Sequence, residues 1–260
     1  MTDPSAPAAV VLRAIDRRGV ATLTFNRPNK SNSYSAAMLE ALHEAMTQLA
    51  VDPAVRVLVL RGSGRHFSAG AEMGEPGRER PRISIAGLCQ ELDAVAKPTI
   101  ALVHGACIGG AVALISCCDM VIAAQNAFFS LPEVRLGFAP ASLIPFFLRA
   151  IDARALRRYL LSGERFGADE ALRTGLVHQL CAPEAGETAL AGLIDEVLMA
   201  APNALVHAKG LLRRLTQTAI SPELLAELQG EFDRRAQSPE AAEGRASFRE
   251  KRKPKWFPEN

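Results

Sequence analysis

The chain predicts an α/β fold with a helical C-terminal region, and three observations lead there. Short β-branched runs alternate with helical spacings through the first half of the sequence, the pattern of βαβ units around a mostly parallel sheet. Beyond Leu143 almost every periodicity is helical. The 260 residues are 48% apolar and 22% charged, an ordinary globular composition. Such a length buries roughly three quarters of the unfolded surface. We divide the chain into a core over residues 1–195 and a helical region over 196–260.

The elements follow in order. Val10 to Ile15 and Val20 to Phe25 alternate around Arg18-Gly19 and form a hairpin. Asn26-Arg27-Pro28-Asn29 breaks it. From Ser35, an N-cap, Met38, Leu39, Leu42, Ala45, Met46 and Leu49 recur at helical spacing as far as Asp52-Pro53. Val55 to Leu60 is a strand, and 61–82 is a long loop rich in Gly, Pro and charge, of the kind that is usually functional. A helix over 84–95, a strand at Thr99–Val103, a short helix at Gly109–Cys117 and a strand at Met120–Ala124 complete the alternation. Helices then follow at about 143–150, 152–161, 169–174, 187–200, 203–217, 222–237 and 240–251. Asp152, Ser221 and Ser238 serve as N-caps, with Gly163 and Gly175 as stops.

Composition excludes several function classes. Thirty Lys and Arg against twenty-eight Asp and Glu leave +2, and aromatics make up 5%, so no nucleic-acid partner is expected. The five cysteines (Cys89, Cys107, Cys117, Cys118, Cys181) form no C-x-x-C pair and read as buried thiols of a reducing cytoplasm. The first ten residues lack the charged and apolar regions of a signal peptide, and no run of about 18 apolar residues predicts a membrane span. His43, His66, His104, His178 and His207 show no metal spacing. Dinucleotide, Walker, zincin and nucleophile-elbow motifs are absent.

Two glycine-rich turns and one acid remain. His66-Phe67-Ser68-Ala69-Gly70-Ala71-Glu72 follows one strand, and Gly105-Ala106-Cys107-Ile108-Gly109-Gly110-Ala111 lies between another strand and a helix. Small residues let a ligand approach the backbone, and amides opening a helix are unpaired. Two such turns face to face would aim two N–H donors at one carbonyl oxygen. By spacing alone, two plain tight turns explain these residues better than a site does.

The stretch Arg56 to Glu72, Gly105 to Gly110, the Cys118-Asp119 pair and Leu131-Pro132-Glu133-Val134 resemble, in order, signatures of the crotonase (enoyl-CoA hydratase/isomerase) superfamily. The resemblance runs from about residue 10 to Trp256. It implies a spiral of ββα units, a C-terminal trimerisation region assembling trimers or dimers of trimers, and acyl-CoA thioester substrates. It implies no metal and no redox cofactor, coenzyme A entering as part of the substrate. Carried over by position, Ala71 and Gly110 match the two amides that hold the thioester carbonyl, and Glu133 matches a catalytic glutamate. Ser68, Ala69, Gly70, Ala71, Glu72 and Met73 match the coenzyme-binding loop. Lys30 reads equally as a phosphate contact or a solvated turn lysine.

Two departures bear on the reaction. Where hydratases of the family carry a second glutamate, three residues after Gly110, this chain has Ala113. Glu133 then does both jobs in hydration, or Glu72, Glu75 or His66 assists; a single glutamate also suits the isomerase branch. Residues 134–151 resemble the methylglutaconyl-CoA and isohexenylglutaconyl-CoA hydratases, with Arg65, Arg78, Arg80 and Arg82 as cations for a substrate carboxylate. Hydration by a lyase and double-bond shift by an isomerase therefore stand open, against a non-catalytic oligomeric or RNA-binding scaffold using the basic Lys251–Lys255 tail.

Overall fold

The hairpin forms as its sequence requires. Asp16 Oδ1 accepts from the amides of Arg18 (2.8 Å) and Val20 (2.9 Å), so one side chain closes the turn between β1 (Val11–Ile15) and β2 (Val20–Phe25). The computed structural model describes residues 9–72, 81–216 and 218–258. Met73, Glu75, Arg78 and Arg80, singled out above, lie outside the described residues.

From β2 the chain winds as a staircase. Helix α1 (Ala36–Val51) starts where Ser35 accepts from the Met38 amide, and it buries Met38, Leu39, Leu42, Met46 and Leu49 on one face. It returns to β3 (Val57–Gly62), parallel to β2. Helix α2 (Ile85–Ala94), capped by Ser84, leads to β4 (Thr99–Val103). The chain next makes a three-residue strand β5 (Ala106–Ile108), helix α3 (Gly110–Ser116) and β6 (Met120–Ala124). It continues through β7 (Phe128–Ser130), a 3₁₀ turn at Pro132–Leu136, α4 (Ile144–Ala150) and α5 (Ala153–Ser162). Strand β8 (Arg165–Gly167), α6 (Ala168–Arg173) and β9 (Gln179–Cys181) close the winding.

Two sheets result. The larger has the order β1-β2-β3-β4-β6-β9, parallel except for the first pair; the smaller is β5-β7-β8. Isolated parallel bridges, Tyr34 with Ala71 and Ser68 with Cys107, extend the smaller sheet by one or two residues at each earlier turn. Each turn of the spiral thus contributes a rung to both layers before its helix, giving the ββα repeat. One core, including Phe25, Phe67, Leu88 and Phe129, fills the inside of the spiral. The opposite face of the large sheet is covered by α7 (Gly186–Met199) through Leu190, Ile194 and Leu198.

The seven helical segments beyond Leu143 stand within two residues of their expected ends. Sequence reading misses β5, β7, β8 and β9, each three residues long and too short for an alternation to show. The last three helices, α8 (Pro202–Leu215), α9 (Pro222–Ala236) and α10 (Pro239–Glu250), form a C-terminal bundle. Neither α8 nor α9 buries a residue within the chain, and Leu212 and Phe248 stand 71% and 84% exposed. Exposed apolar side chains on these helices fit self-association. The tail returns to the core: Trp256 Nε1 donates to Met199 O (3.0 Å), and Arg252 pairs with Glu243 and Glu250. Among the described residues, no single helix is long and apolar enough to cross a membrane.

Polar contacts from Lys209 and Arg213 dock α8 on the core, the shortest of them at Asp119. Asp119 accepts from the Thr99 amide (2.7 Å), Thr99 Oγ1 (2.8 Å) and Lys209 Nζ (2.6 Å). Replacing Asp119 by Ala strands a buried donor pair and a lysine, so Asp119→Ala should cost about 3 kcal/mol. Denaturant unfolding with an unchanged slope would measure it, and Asp119→Asn should cost less.

Candidate active site

The register of the small layer builds the site. Ser68 bridges Cys107, so equal steps of three residues carry the chain to Ala71 on one rung and Gly110 on the next. Tyr34 bridges Ala71 on the rung before, and Cys107 pairs with Phe129 on the rung after, four residues short of Glu133. Parallel pairing thus brings Tyr34 to Ala71 and sets the turns that carry Gly110 and Glu133 on neighbouring rungs.

The two glycine turns lie side by side. Ser68 N donates to Ala106 O (3.0 Å) and Ile108 N to Ser68 O (3.1 Å). Gly70 has φ +87°, and a Cβ there would stand 2.8 Å from the Ile108 carbonyl oxygen. Gly109, at φ +57°, is equally constrained, since its Cβ would come 2.7 Å from Glu133 Oε1. Gly110 opens α3, so its amide lies outside the helix's own hydrogen bonding. Among the described residues, nothing accepts from the Ala71 amide.

Glu133 is buried, 8% exposed, at the second position of its 3₁₀ turn. Its Oε2 has no hydrogen-bond partner among the described residues. Burial raises its pKa above the ordinary carboxylate range, its own amide opposing weakly. A carboxyl of that kind takes up and returns a proton readily. Ala113 is fully buried in α3 and adds no polar atom.

The other sequence candidates fall into different places. Lys30 is exposed in a 3₁₀ turn at Pro28–Lys30. Ser68 is buried, with Oγ donating to Asn32 O (2.8 Å) and accepting from Gly70 N (3.2 Å), so it shapes the loop. The carboxylate of Glu72 is held by Arg27 at 3.1 and 3.3 Å. His66 Nδ1 accepts from the Ala106 amide (3.0 Å), and burial lowers its pKa, so the ring is a neutral clasp between the two turns. Neither Glu72 nor His66 presents a free acid at Glu133.

Sequence reasoning missed two residues. Asn32, fully buried at φ +53°, donates to Ser63 O (2.8 Å) and His66 O (2.7 Å) and accepts from Arg27 N (2.8 Å). It pins the first glycine turn, and the tolerance of Asn for left-handed backbone was its signal. Tyr34 reaches into the site itself: a Cβ on Gly110 would collide with its hydroxyl. Among the described residues, no group of three or more His, Cys, Asp or Glu forms a metal site.

The buried carboxyl gives a sign to pH. Because the folded pKa of Glu133 is raised, the folded state binds its proton more tightly than the unfolded chain does. Ionised Glu133 therefore costs stability above that pKa, and the cost vanishes as pH falls below the unfolded value near 4.5. Glu133→Gln should be at least as stable as the parent at pH 7, with the difference shrinking toward pH 4, as followed by thermal unfolding.

Comparison with known proteins agrees with the fold. The family model described as Enoyl-CoA hydratase/isomerase matches residues 16–259. The chain is 32% identical over 240 residues to the 2,3-dehydroadipyl-CoA hydratase of Escherichia coli K12, covering 90% of this chain and 94% of that one. Among solved structures, an enoyl-CoA hydratase from Shewanella pealeana superposes with a TM-score of 0.86 at 33% identity, covering 95% and 96% of the two chains. One from Mycobacterium smegmatis superposes at 0.88 and 31% identity, covering 96% and 99%. With an intact spiral and a match that spans nearly its whole length, the chain belongs to the enoyl-CoA hydratase/isomerase family and is an enzyme of that family's lyase chemistry.

Proposed function

We propose that the enzyme adds water across the double bond of a 2-enoyl-CoA thioester, with Glu133 as its single acid–base group. The observation that carries this reading is the buried Glu133 carboxyl, one oxygen unpaired, beside Gly109 and the Gly110 amide. In this reading the thioester oxygen lies between the Ala71 and Gly110 amides. The oxygen of a water attacks C3 while its proton passes to Glu133, and the C2–C3 π electrons move to give an enolate whose charge rests on the thioester oxygen. The enolate then collapses and C2 takes the proton from Glu133. Donors fixed in advance stabilise the enolate more than the substrate, so they act on turnover rather than binding.

Ser68, Ala69, Gly70, Ala71, Glu72 and Met73 line the coenzyme in this proposal, with Lys30 at a phosphate. The acyl group is of the branched or carboxylated glutaconyl type, a reading supported by the run 134–151. The buried thiols suit a reducing cytoplasm. The alternative, shift of a 3-enoyl double bond to the 2-position, is favoured by one observation: Ala113 leaves Glu133 without a second acid to hold a water.

Glu133→Gln should lower kcat by at least about 10²-fold under either chemistry while coenzyme binding persists. Running the parent enzyme in ¹⁸O-water separates the two: hydration of a 2-enoyl thioester puts label at C3, whereas a 3-enoyl thioester isomerised to the 2-enoyl product carries none. Full activity in the glutamine variant would remove Glu133 from both.

The exposed apolar faces of the C-terminal bundle support assembly as a trimer or a dimer of trimers. Light scattering at micromolar concentration should report three or six chains, and a monomer would overturn this.

A further inference from the structure

We propose that the Tyr34 hydroxyl is a third hydrogen-bond donor to the thioester oxygen, working with the Ala71 and Gly110 amides. The inference rests on those amides forming the oxyanion site, and it adds a side chain the family signatures in this sequence do not include.

Backbone pairing fixes where Tyr34 starts. Its amide donates to Gly70 O (2.9 Å) and its carbonyl accepts from Glu72 N (3.1 Å), so Tyr34 is bound on both sides of Ala71. The main chain of one donor therefore positions the main chain of Tyr34. Its ring then crosses the gap to the other donor. The hydroxyl presses on Gly110 so closely that a Cβ there would collide with it, and the Gly110 backbone lowers the phenol's pKa. The phenol oxygen thus stands beside the residue whose amide would hold the thioester oxygen. Ile85 Cγ1, 2.9 Å from a Cβ on Gly110, closes the space on another side.

The phenol stays protonated throughout the working pH range. Burial first, then the charge of Glu133, push its pKa well above that of ordinary tyrosine, outweighing the Gly110 amide. A neutral phenol has one proton to give. When a substrate oxygen accepts from the Gly110 amide, the tethered ring needs only a small swing to direct its O–H at that oxygen. Charge developing on the enolate strengthens that bond most, so the hydroxyl acts on the transition state. With Ala113 apolar, Tyr34 is the polar side chain that the rung before Ala71 supplies to this end of the site.

Tyr34→Phe keeps the ring and removes the donor. The probe is cinnamoyl-CoA, a conjugated thioester whose absorption moves to longer wavelength as its carbonyl is polarised. The parent should bind it with a red shift. Tyr34→Phe should bind it with a smaller shift and lose about tenfold or more in kcat on a 2-enoyl thioester, with KM unchanged or lower. A full shift with kcat within twofold of the parent would overturn the proposal; if KM falls at the same time, the hydroxyl only plugs the Gly110 amide in the empty enzyme. If the parent itself binds the probe without a shift, the two-amide site fails and Tyr34 fails with it. Should the phenylalanine variant not fold, fluorotyrosine at position 34 takes its place. A more acidic phenol should enlarge the shift, and an unchanged one rejects the donor.

Discussion

Parallel register in the small layer is the constraint on which the site depends. The Ser68–Cys107 bridge sets the two glycine turns side by side, three residues before Ala71 on one chain segment and three before Gly110 on the other. Slipping one rung by a single residue would turn each side chain to the other face and separate the two amides. The helices α1, α2 and α3 are the devices that return the chain to the next rung, and their buried faces hold the register by packing. Small residues along the rungs are the consequence. Gly70, Gly109 and Gly110 sit where the neighbouring rung, or a side chain from it, leaves no room for a methyl group.

The electrostatics of the site follow from the same packing. Glu133 is buried with one oxygen unpaired among the described residues, a state that costs stability. Around it the surroundings are apolar or backbone: Ala113 in α3, Gly109 at the turn, and the Tyr34 ring. In the first turn Glu72 is paired with Arg27, and His66 accepts from the Ala106 amide. One titratable carboxyl facing backbone donors is the simplest arrangement that moves a proton beside a stabilised enolate.

The large sheet, its edge strand β9 excepted, and the helices were legible in the sequence because their signals are long. Ser35, Ser84, Asp152, Ser221 and Ser238 all accept from amides of the first turn, and apolar spacing from Met38 to Leu49 marks the buried face of α1. The small layer was not legible. It is made of three-residue strands and single bridges, over which a period of two cannot be told from chance. Glu133, Ala71 and Gly110 were found through their motifs. Tyr34 was hidden between Ser33 and the N-cap Ser35, where a lone aromatic reads as part of a turn. Its placement comes from pairing with a residue 37 positions later, which no local pattern reports.

The five thiols add a practical property. Cys89, Cys107, Cys117, Cys118 and Cys181 are all buried, and three of them sit on α2, β5 and the end of α3, around the helices that hold the rungs in register. Burial pushes the Cys107 and Cys118 thiols up, away from the reactive thiolate form. An alkylating reagent can meet them only when the spiral opens. Labelling rate in native buffer is therefore a clock for that opening, read at several depths of the same core without any added probe.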